Sequence, residues 1–155
     1  MNMSMNKIVG LLAVMVIFLT SCFTQRAMAP QKLYSFNDVQ SVLDEQITQW
    51  NLGSVDGFMK GYWNSDSMLF ITAKGPRYGF QAVSDSYKKN YPSKEAMGNL
   101  RFEVIKMQWI DETAGISQVL GKWHVGENSK PQSGYFSLIF KFIDNKPRIV
   151  IDHTW

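Results

Sequence analysis

The sequence predicts an α+β domain in which N-terminal helices pack on one face of a curved antiparallel sheet. Apolar residues recur at helical spacing as far as Pro92, and from Asn99 onward they follow strand spacing instead. The last stretch, GYFSLIFKFIDNKPRIVIDHTW, is typical of two long strands joined by a tight turn at residues 144–146. Helices followed by a strand meander are the α+β pattern. A curved sheet covered by helices leaves a conical cavity.

The first 21 residues have the features of an export signal. Lys7 precedes an unbroken apolar run from Ile8 to Leu19, which is short for a bilayer span but suits the core of a signal peptide. The run ends in LTSC, which resembles a bacterial lipobox, the motif whose cysteine, here Cys22, is lipidated and becomes the new N-terminus. A competing A-x-A pattern at residues 27–29 is followed by Pro30, which disfavours cleavage there.

We therefore expect a lipoprotein signal peptide over residues 1–21, a tether over 22–34 and one domain over 35–155. The predicted location is the bacterial cell envelope, with Cys22 anchoring the domain to a membrane facing the periplasm. A cleaved or uncleaved leader with an incidental cysteine is the alternative. Because Cys22 is the only cysteine, no intramolecular disulfide can form.

Charge and motifs argue against several kinds of partner. The formal net charge is +3, and no basic cluster stands out beyond Lys88 and Lys89, so we expect no nucleic-acid partner. The sequence contains no Gly-rich phosphate loop, GxSxG, HExxH or CxxC motif, so no cofactor is predicted. His124 and His153 fall on opposite faces of their strands, which argues against a metal site.

Capping residues and periodicity define the predicted helices. Ser35 is the expected N-cap of a first helix that ends at Gly53, and its apolar positions are Val39, Val42, Leu43, Ile47 and Trp50. A shorter helix begins at Ser54 and carries Phe58, Met59, Tyr62 and Trp63. A short strand over 67–72 and its return at 77–78 precede a third helix over 79–91, and residues 93–97 are expected to add one further turn.

The strands after residue 99 are expected to form two hairpins. The first pairs residues 100–110 with 114–125, and a change of phase in its first strand predicts a β-bulge near Val104–Ile105. In the final strand, simple alternation places His153 on the apolar face and Asp152 on the opposite one. His153 is therefore predicted to point into the cavity and Asp152 away from it, and Asp152 would act from the rim only if the strand end twists.

Five segments resemble, in order, parts of nuclear transport factor 2-like domains: WNLGSVDGFMKGYWNSDSMLFI, GPRYGFQAVSDSYKKNYP, GNLRFEV, VLGKWHV and IVIDHTW. The resemblance covers about residues 36–155, and that superfamily includes SnoaL-like polyketide cyclases and ketosteroid isomerase. It implies a cone-shaped fold but no single function, because this fold hosts unrelated enzymes and non-enzymes. In the isomerase-like relatives a carboxylate base in the cavity faces an oxyanion hole, and in the cyclases an acid shuttles protons. This chain has no clear carboxylate at an inward strand position, and Asp152 would be one only if the faces of the last strand were assigned the wrong way round.

The predicted site is an aromatic-lined cavity with a few polar groups, which is the pattern of a small-molecule pocket. The candidate ligand-binding residues are Tyr62, Trp63, Tyr78, Tyr87, Tyr91, Trp109, Trp123, Phe136 and His153. Each of them also suits a plain core role, because large aromatic residues dominate cores. His153 with Asp152 is the candidate catalytic pair, and the alternative for His153 is a structural ring bonded to a tyrosine or a carbonyl group.

Two functions remain open from the sequence. The first is a cell-envelope lipoprotein whose cavity binds a small apolar or amphipathic molecule, and the second is a cofactor-independent isomerase, cyclase or hydrolase that uses His153, Asp152 and tyrosine hydroxyls. A structural module is a third possibility. We also expect a homodimer through the outer sheet face, where four side chains are more apolar than a solvated sheet requires: Leu120, Tyr135, Ile139 and Val150.

Overall fold

The structure is a computed structural model that describes residues 34–126 and 131–155. The predicted signal peptide, Cys22 and all but the last residue of the tether lie outside these residues. The chain forms helices α1 (Phe36–Asn51), α2 (Val55–Met59), α3 (Phe80–Asn90) and α4 (Lys94–Met97). Its strands are β1 (Leu69–Thr72), β2 (Gly75–Tyr78), β3 (Leu100–Asp111), β4 (Ile116–Val125), β5 (Gln132–Ile143) and β6 (Lys146–Thr154).

Helix α1 is fixed at both ends by side-chain hydrogen bonds. At its start the Ser35 hydroxyl accepts from the backbone N–H of Asn37 at 3.1 Å, so the predicted N-cap is confirmed. At its end the Asn51 side chain accepts from the Leu100 N–H at 2.7 Å and donates to the Leu100 carbonyl at 3.1 Å. These two bonds join the end of α1 to the first residue of β3, so the helix is held at a fixed position over the sheet. Within the described residues, none of the helices is long and apolar enough to cross a membrane.

The sheet has six strands in the order β2-β1-β6-β5-β4-β3. The α+β architecture is confirmed, but the sheet is mixed, because β1 pairs with β6 in parallel while every other neighbouring pair is antiparallel. The sequence predicted the antiparallel meander of β3 to β6 but not this one parallel pair. Strand β1 joins the far end of the chain, and such long-range pairing leaves no mark on local periodicity. The final hairpin turns at Asp144 and Asn145, both with positive φ, as a two-residue hairpin loop requires.

Two strands carry bulges that matter for the site. In β3 the partner register jumps between Val104 and Lys106, so the predicted bulge near Ile105 is confirmed. In β6 the register jumps as well, because Ile139 pairs with Ile151 and Phe140 pairs with Ile149. Val150 is thus the extra residue, and every side chain after it changes face.

The bulge at Val150 overturns the predicted orientation of the last strand. Ile149 is fully buried, and only 4% of Asp152 is exposed. A regular strand would turn these two residues, which are three apart, to opposite faces. Asp152 therefore points inward, and His153 is exposed on the outer face. The prediction that His153 points into the cavity and Asp152 away from it was wrong, because simple alternation does not hold across a bulge.

Candidate functional site

The inner face of the sheet and helices α1 to α3 enclose a cavity of about 460 Å³. Its walls are mainly aromatic, and most of the helices and strands contribute to them. The helical side provides Trp50, Phe58, Tyr62, Tyr87 and Tyr91, and the strands provide Phe70, Phe102, Trp123 and Phe136. The volume lies in the range of ordinary small-molecule pockets.

Aromatic rings pack edge-to-face around Tyr87 and stiffen the helical side of the cavity. The Tyr87 ring lies 5.3 Å from Phe58 and 5.8 Å from Phe70, measured between centroids. Trp50 packs against Tyr91 at 4.8 Å, and its indole N–H donates to the Met97 carbonyl at 3.1 Å. Rings locked in this way present a preformed apolar surface to a guest molecule.

Asp152 is the polar centre of the cavity wall. It lies on β6 between Phe70 of β1 and Leu138 of β5, which are its partners in the sheet and are also buried. The Tyr62 hydroxyl donates to Asp152 Oδ2 at 2.7 Å. The other carboxyl oxygen, Oδ1, is buried and has no hydrogen-bond partner among the described residues. Buried polar atoms are normally paired, so Oδ1 is an unused hydrogen-bond acceptor in the cavity wall.

Burial sets the protonation of these groups. Loss of solvent raises the pKa of Asp152 to about 7, and the hydrogen bond from Tyr62 offsets part of that rise. Burial, and after it the nearby charge of Asp152, raises the pKa of Tyr62 and of Tyr87 well above the ordinary tyrosine value. Both hydroxyls therefore stay protonated, while the Asp152 carboxyl switches between hydrogen-bond donor and proton acceptor near neutral pH.

Most of the predicted pocket residues do line the cavity, namely Tyr62, Tyr87, Tyr91, Trp123 and Phe136. Asp152 also lines the cavity, although alternation along the last strand had placed it on the opposite face.

Four of the predicted ligand-binding residues do not line the cavity. Trp63 follows the cavity residue Tyr62 and uses its backbone N–H to bond the Ile149 carbonyl at 2.9 Å. Tyr78 is 64% exposed on the edge strand β2. Trp109 stacks on Phe36 at 4.6 Å, away from the cavity. His153 packs on the outer face against Trp155, with 4.7 Å between ring centroids, so it is not brought together with the inward carboxyl of Asp152.

Sequence reasoning missed several wall residues. Trp50 and Phe58 were placed on apolar helix faces, so periodicity did carry a signal for them. Gln46 is 2% exposed, lines the cavity and donates to the Phe58 carbonyl at 3.3 Å. Lys74 and Arg77 line the open side of the cavity from the β1–β2 hairpin, and no local pattern could have indicated them, because the β1–β6 pairing brings them there.

No group of three or more potential metal ligands occurs in residues 34–126 and 131–155.

Comparison with known proteins finds relatives only among solved structures. No family model matches the chain, and no curated protein does so. A nuclear transport factor 2-like protein of unknown function from Shewanella oneidensis MR-1 is 30% identical, with a TM-score of 0.73. The match covers 77% of this chain and 97% of that one.

More distant structures share the fold alone. A nuclear transport factor 2-like superfamily protein from Salmonella enterica serovar Typhimurium LT2 is 13% identical, with a TM-score of 0.57 and coverage of 77% of this chain and 88% of that one. A ketosteroid isomerase-like protein from Erwinia carotovora atroseptica SCRI1043 is 8% identical, also with a TM-score of 0.57, and the match covers 76% of this chain and 92% of that one.

Proposed function

The chain belongs to the nuclear transport factor 2-like family, and we propose that its cavity binds a small apolar or amphipathic molecule, a polar atom of which bonds to Asp152. The observation that carries this proposal is the unpartnered Oδ1 of Asp152 in a mainly aromatic wall. Leaving a buried polar atom unsatisfied costs about 1–3 kcal/mol. A guest molecule that satisfies it recovers that free energy on binding.

The aromatic wall supports the same proposal. Trp50, Phe58, Phe70 and Tyr87 hold one another at edge-to-face distances, so the cavity does not need to rearrange before a guest enters. An apolar surface with a few convergent polar groups, here the Asp152 carboxyl and the Tyr62 hydroxyl among them, is the usual composition of a small-molecule site.

Mass spectrometry of compounds extracted from the purified native protein tests the proposal. We expect wild type and the exposed-site control Asp85→Asn to release the same compound, and Asp152→Asn to release much less of it. Asparagine keeps the volume of the side chain and its ability to accept from Tyr62, so a change in bound material reports on the carboxyl group itself. Equal amounts from Asp152→Asn and Asp85→Asn would overturn the role of Asp152.

A second candidate function, proton transfer catalysis without a cofactor, is favoured by the pKa of Asp152. A carboxyl with a pKa of about 7 is half ionised near neutral pH, which suits a general acid or base. The ionised Oδ1 would accept a proton from a carbon next to a carbonyl group, leaving the electron pair on the resulting enolate, and would return the proton to another carbon. His153 has no part in this version, because it lies on the outer face.

Deuterium incorporation separates catalysis from binding. The extracted compound, incubated in heavy water with the protein, should gain deuterium at exchangeable carbon positions with wild type and with Asp85→Asn but not with Asp152→Asn. Binding without deuterium uptake by any of the three proteins would leave the binding function and reject the enzyme.

We propose further that the chain is a lipoprotein of the bacterial cell envelope, anchored at Cys22 with the domain facing the periplasm. The support is the apolar run before LTSC and the proline after the competing cleavage pattern, all outside the described residues. In membrane fractionation we expect wild type with the membranes and Cys22→Ala released from them or retaining its leader. Two equally soluble proteins with the same mature mass would contradict lipidation.

A further inference from the structure

The open side of the cavity is asymmetric in charge. The β1–β2 hairpin contributes two cations, Lys74 and Arg77, and both are exposed at the cavity edge. The hairpin turn is held by Thr72, whose hydroxyl accepts from the Lys74 N–H at 3.1 Å. Among the described residues that line the cavity, Asp152 is the only acidic one, and it lies inside rather than at the open side.

The register of the strands places Arg77 and Asp152 at opposite ends of one row. Phe70 pairs with Arg77 on one side and with Asp152 on the other, so all three side chains lie on the inner face of the sheet. Neighbouring strands are about 4.8 Å apart, which puts the backbones of Arg77 and Asp152 about 10 Å apart with the Phe70 ring between them. The row therefore runs from a cation, across an apolar ring, to a buried carboxyl.

Neither cation of the hairpin is neutralised within the described residues. The ion pairs found there join Lys88 to Asp56 at 2.7 Å and Arg101 to Glu103 at 4.0 Å on the far strand β3. A lysine and an arginine without ion-pair partners on one hairpin attract an anion, and the planar guanidinium matches a carboxylate with two parallel hydrogen bonds.

We infer that the cavity takes a small amphipathic anion, whose charged group lies at Lys74 and Arg77 and whose apolar body extends past Phe70 toward Asp152. This inference rests on the proposed binding function and names the class of ligand for the same cavity. A neutral apolar molecule would leave the two cations unused, and a cationic one would be repelled at the entrance. The anionic group stays at the exposed edge, where it does not have to lose all of its water.

Three probes of the same shape and different charge test the inference: 4-phenylbutanoate, 4-phenylbutanol and 4-phenylbutylammonium. Binding is measured by calorimetry and by the fluorescence of Trp50 and Trp123, which line the cavity. With wild type we expect the carboxylate to bind about tenfold more tightly than the alcohol, since it makes two exposed ion pairs that the alcohol cannot make. The ammonium compound should bind more weakly than the alcohol.

The double variant Lys74→Gln with Arg77→Gln should reduce the preference for the carboxylate to about twofold or less. The control Lys106→Gln with Lys141→Gln removes the same net charge at exposed positions away from the cavity and should leave the preference unchanged. Raising the salt concentration should weaken the binding of the carboxylate but not that of the alcohol, because salt screens exposed ion pairs.

The outcomes separate this inference from the binding function. Equal affinity for carboxylate and alcohol, or an undiminished preference in the hairpin double variant, overturns the inference and leaves the cavity as a binding site for neutral guests. Tightest binding of the ammonium compound overturns it as well. Failure of all three probes to bind contradicts the proposed binding function together with the inference.

Discussion

Replacing Asp152 with asparagine removes a titrating group from the cavity while keeping its volume and its acceptor for Tyr62. Burial raises the pKa of Asp152 from its ordinary value of 3.8 to about 7. A carboxyl with a higher pKa in the folded state holds its proton more tightly there than in the unfolded chain. The folded state therefore loses stability as the pH rises through the interval between the two pKa values, and the loss is complete above the folded one. The asparagine variant does not lose stability in this way, because its side chain does not titrate.

The size of the effect follows from the two pKa values. One pKa unit corresponds to about 1.36 kcal/mol, so the rise from 3.8 to about 7 amounts to about 4 kcal/mol for one carboxyl. Asp152 is 4% exposed, so water screens little of it. We expect the free energy of unfolding of wild type, relative to that of Asp152→Asn, to fall by about 4 kcal/mol between about pH 4 and about pH 8.

Urea unfolding followed by tryptophan fluorescence at a series of pH values measures this difference. The subtraction of variant from wild type cancels every other titrating group that the two proteins share. Asp85→Asn is the matched control, because Asp85 is exposed on α3, and its difference from wild type should not grow with pH in this way. A difference for Asp152→Asn that stays constant with pH would show that the carboxyl is hydrated, and would refute the inward placement.

Three further predictions concern the neighbourhood of the cavity and the outer face. Tyr62→Phe removes the hydrogen bond that lowers the pKa of Asp152, so the pH window of the stability loss should extend to higher pH in the same urea titrations. Gly121→Ala should lower the free energy of unfolding by about 2 kcal/mol, because the added Cβ would meet the Phe136 ring and lie 2.8 Å from a backbone oxygen. If the outer sheet face forms the expected homodimer, Ile139→Lys should halve the mass measured by light scattering, whereas a wild-type monomer at every concentration rules the dimer out.

Local signals in the sequence were sufficient for most of the fold. Ser35 begins α1 through the side-chain bond that its residue type predicts, and Asp144 and Asn145 form the turn expected between β5 and β6. The bulge at Ile105 could be predicted because polar residues mark the change of phase around it. These features depend on residues close together in the chain, where propensity and periodicity act.

The site itself depended on features that local patterns do not show. The bulge at Val150 falls within the run Ile149–Ile151, where all three residues are apolar, so no change of phase is visible and the inward residue of the strand end was misassigned. The parallel pairing of β1 with β6 joins segments about 80 residues apart, and only that pairing brings Arg77 to the cavity. Both missed features, the bulge and the parallel pair, are matters of strand register and pairing, which one-dimensional periodicity cannot specify.

A crystal structure of the protein with 4-phenylbutanoate would show the occupant of the cavity and the course of the last strand together. We expect the phenyl ring in the aromatic cavity beside Phe70 and Tyr87, the Asp152 carboxyl facing it, and the carboxylate of the probe at the β1–β2 hairpin. His153 should lie on the outer face of the sheet. A last strand without the bulge at Val150, with Asp152 outside and His153 inside, would contradict the account, as would a probe bound anywhere other than this cavity.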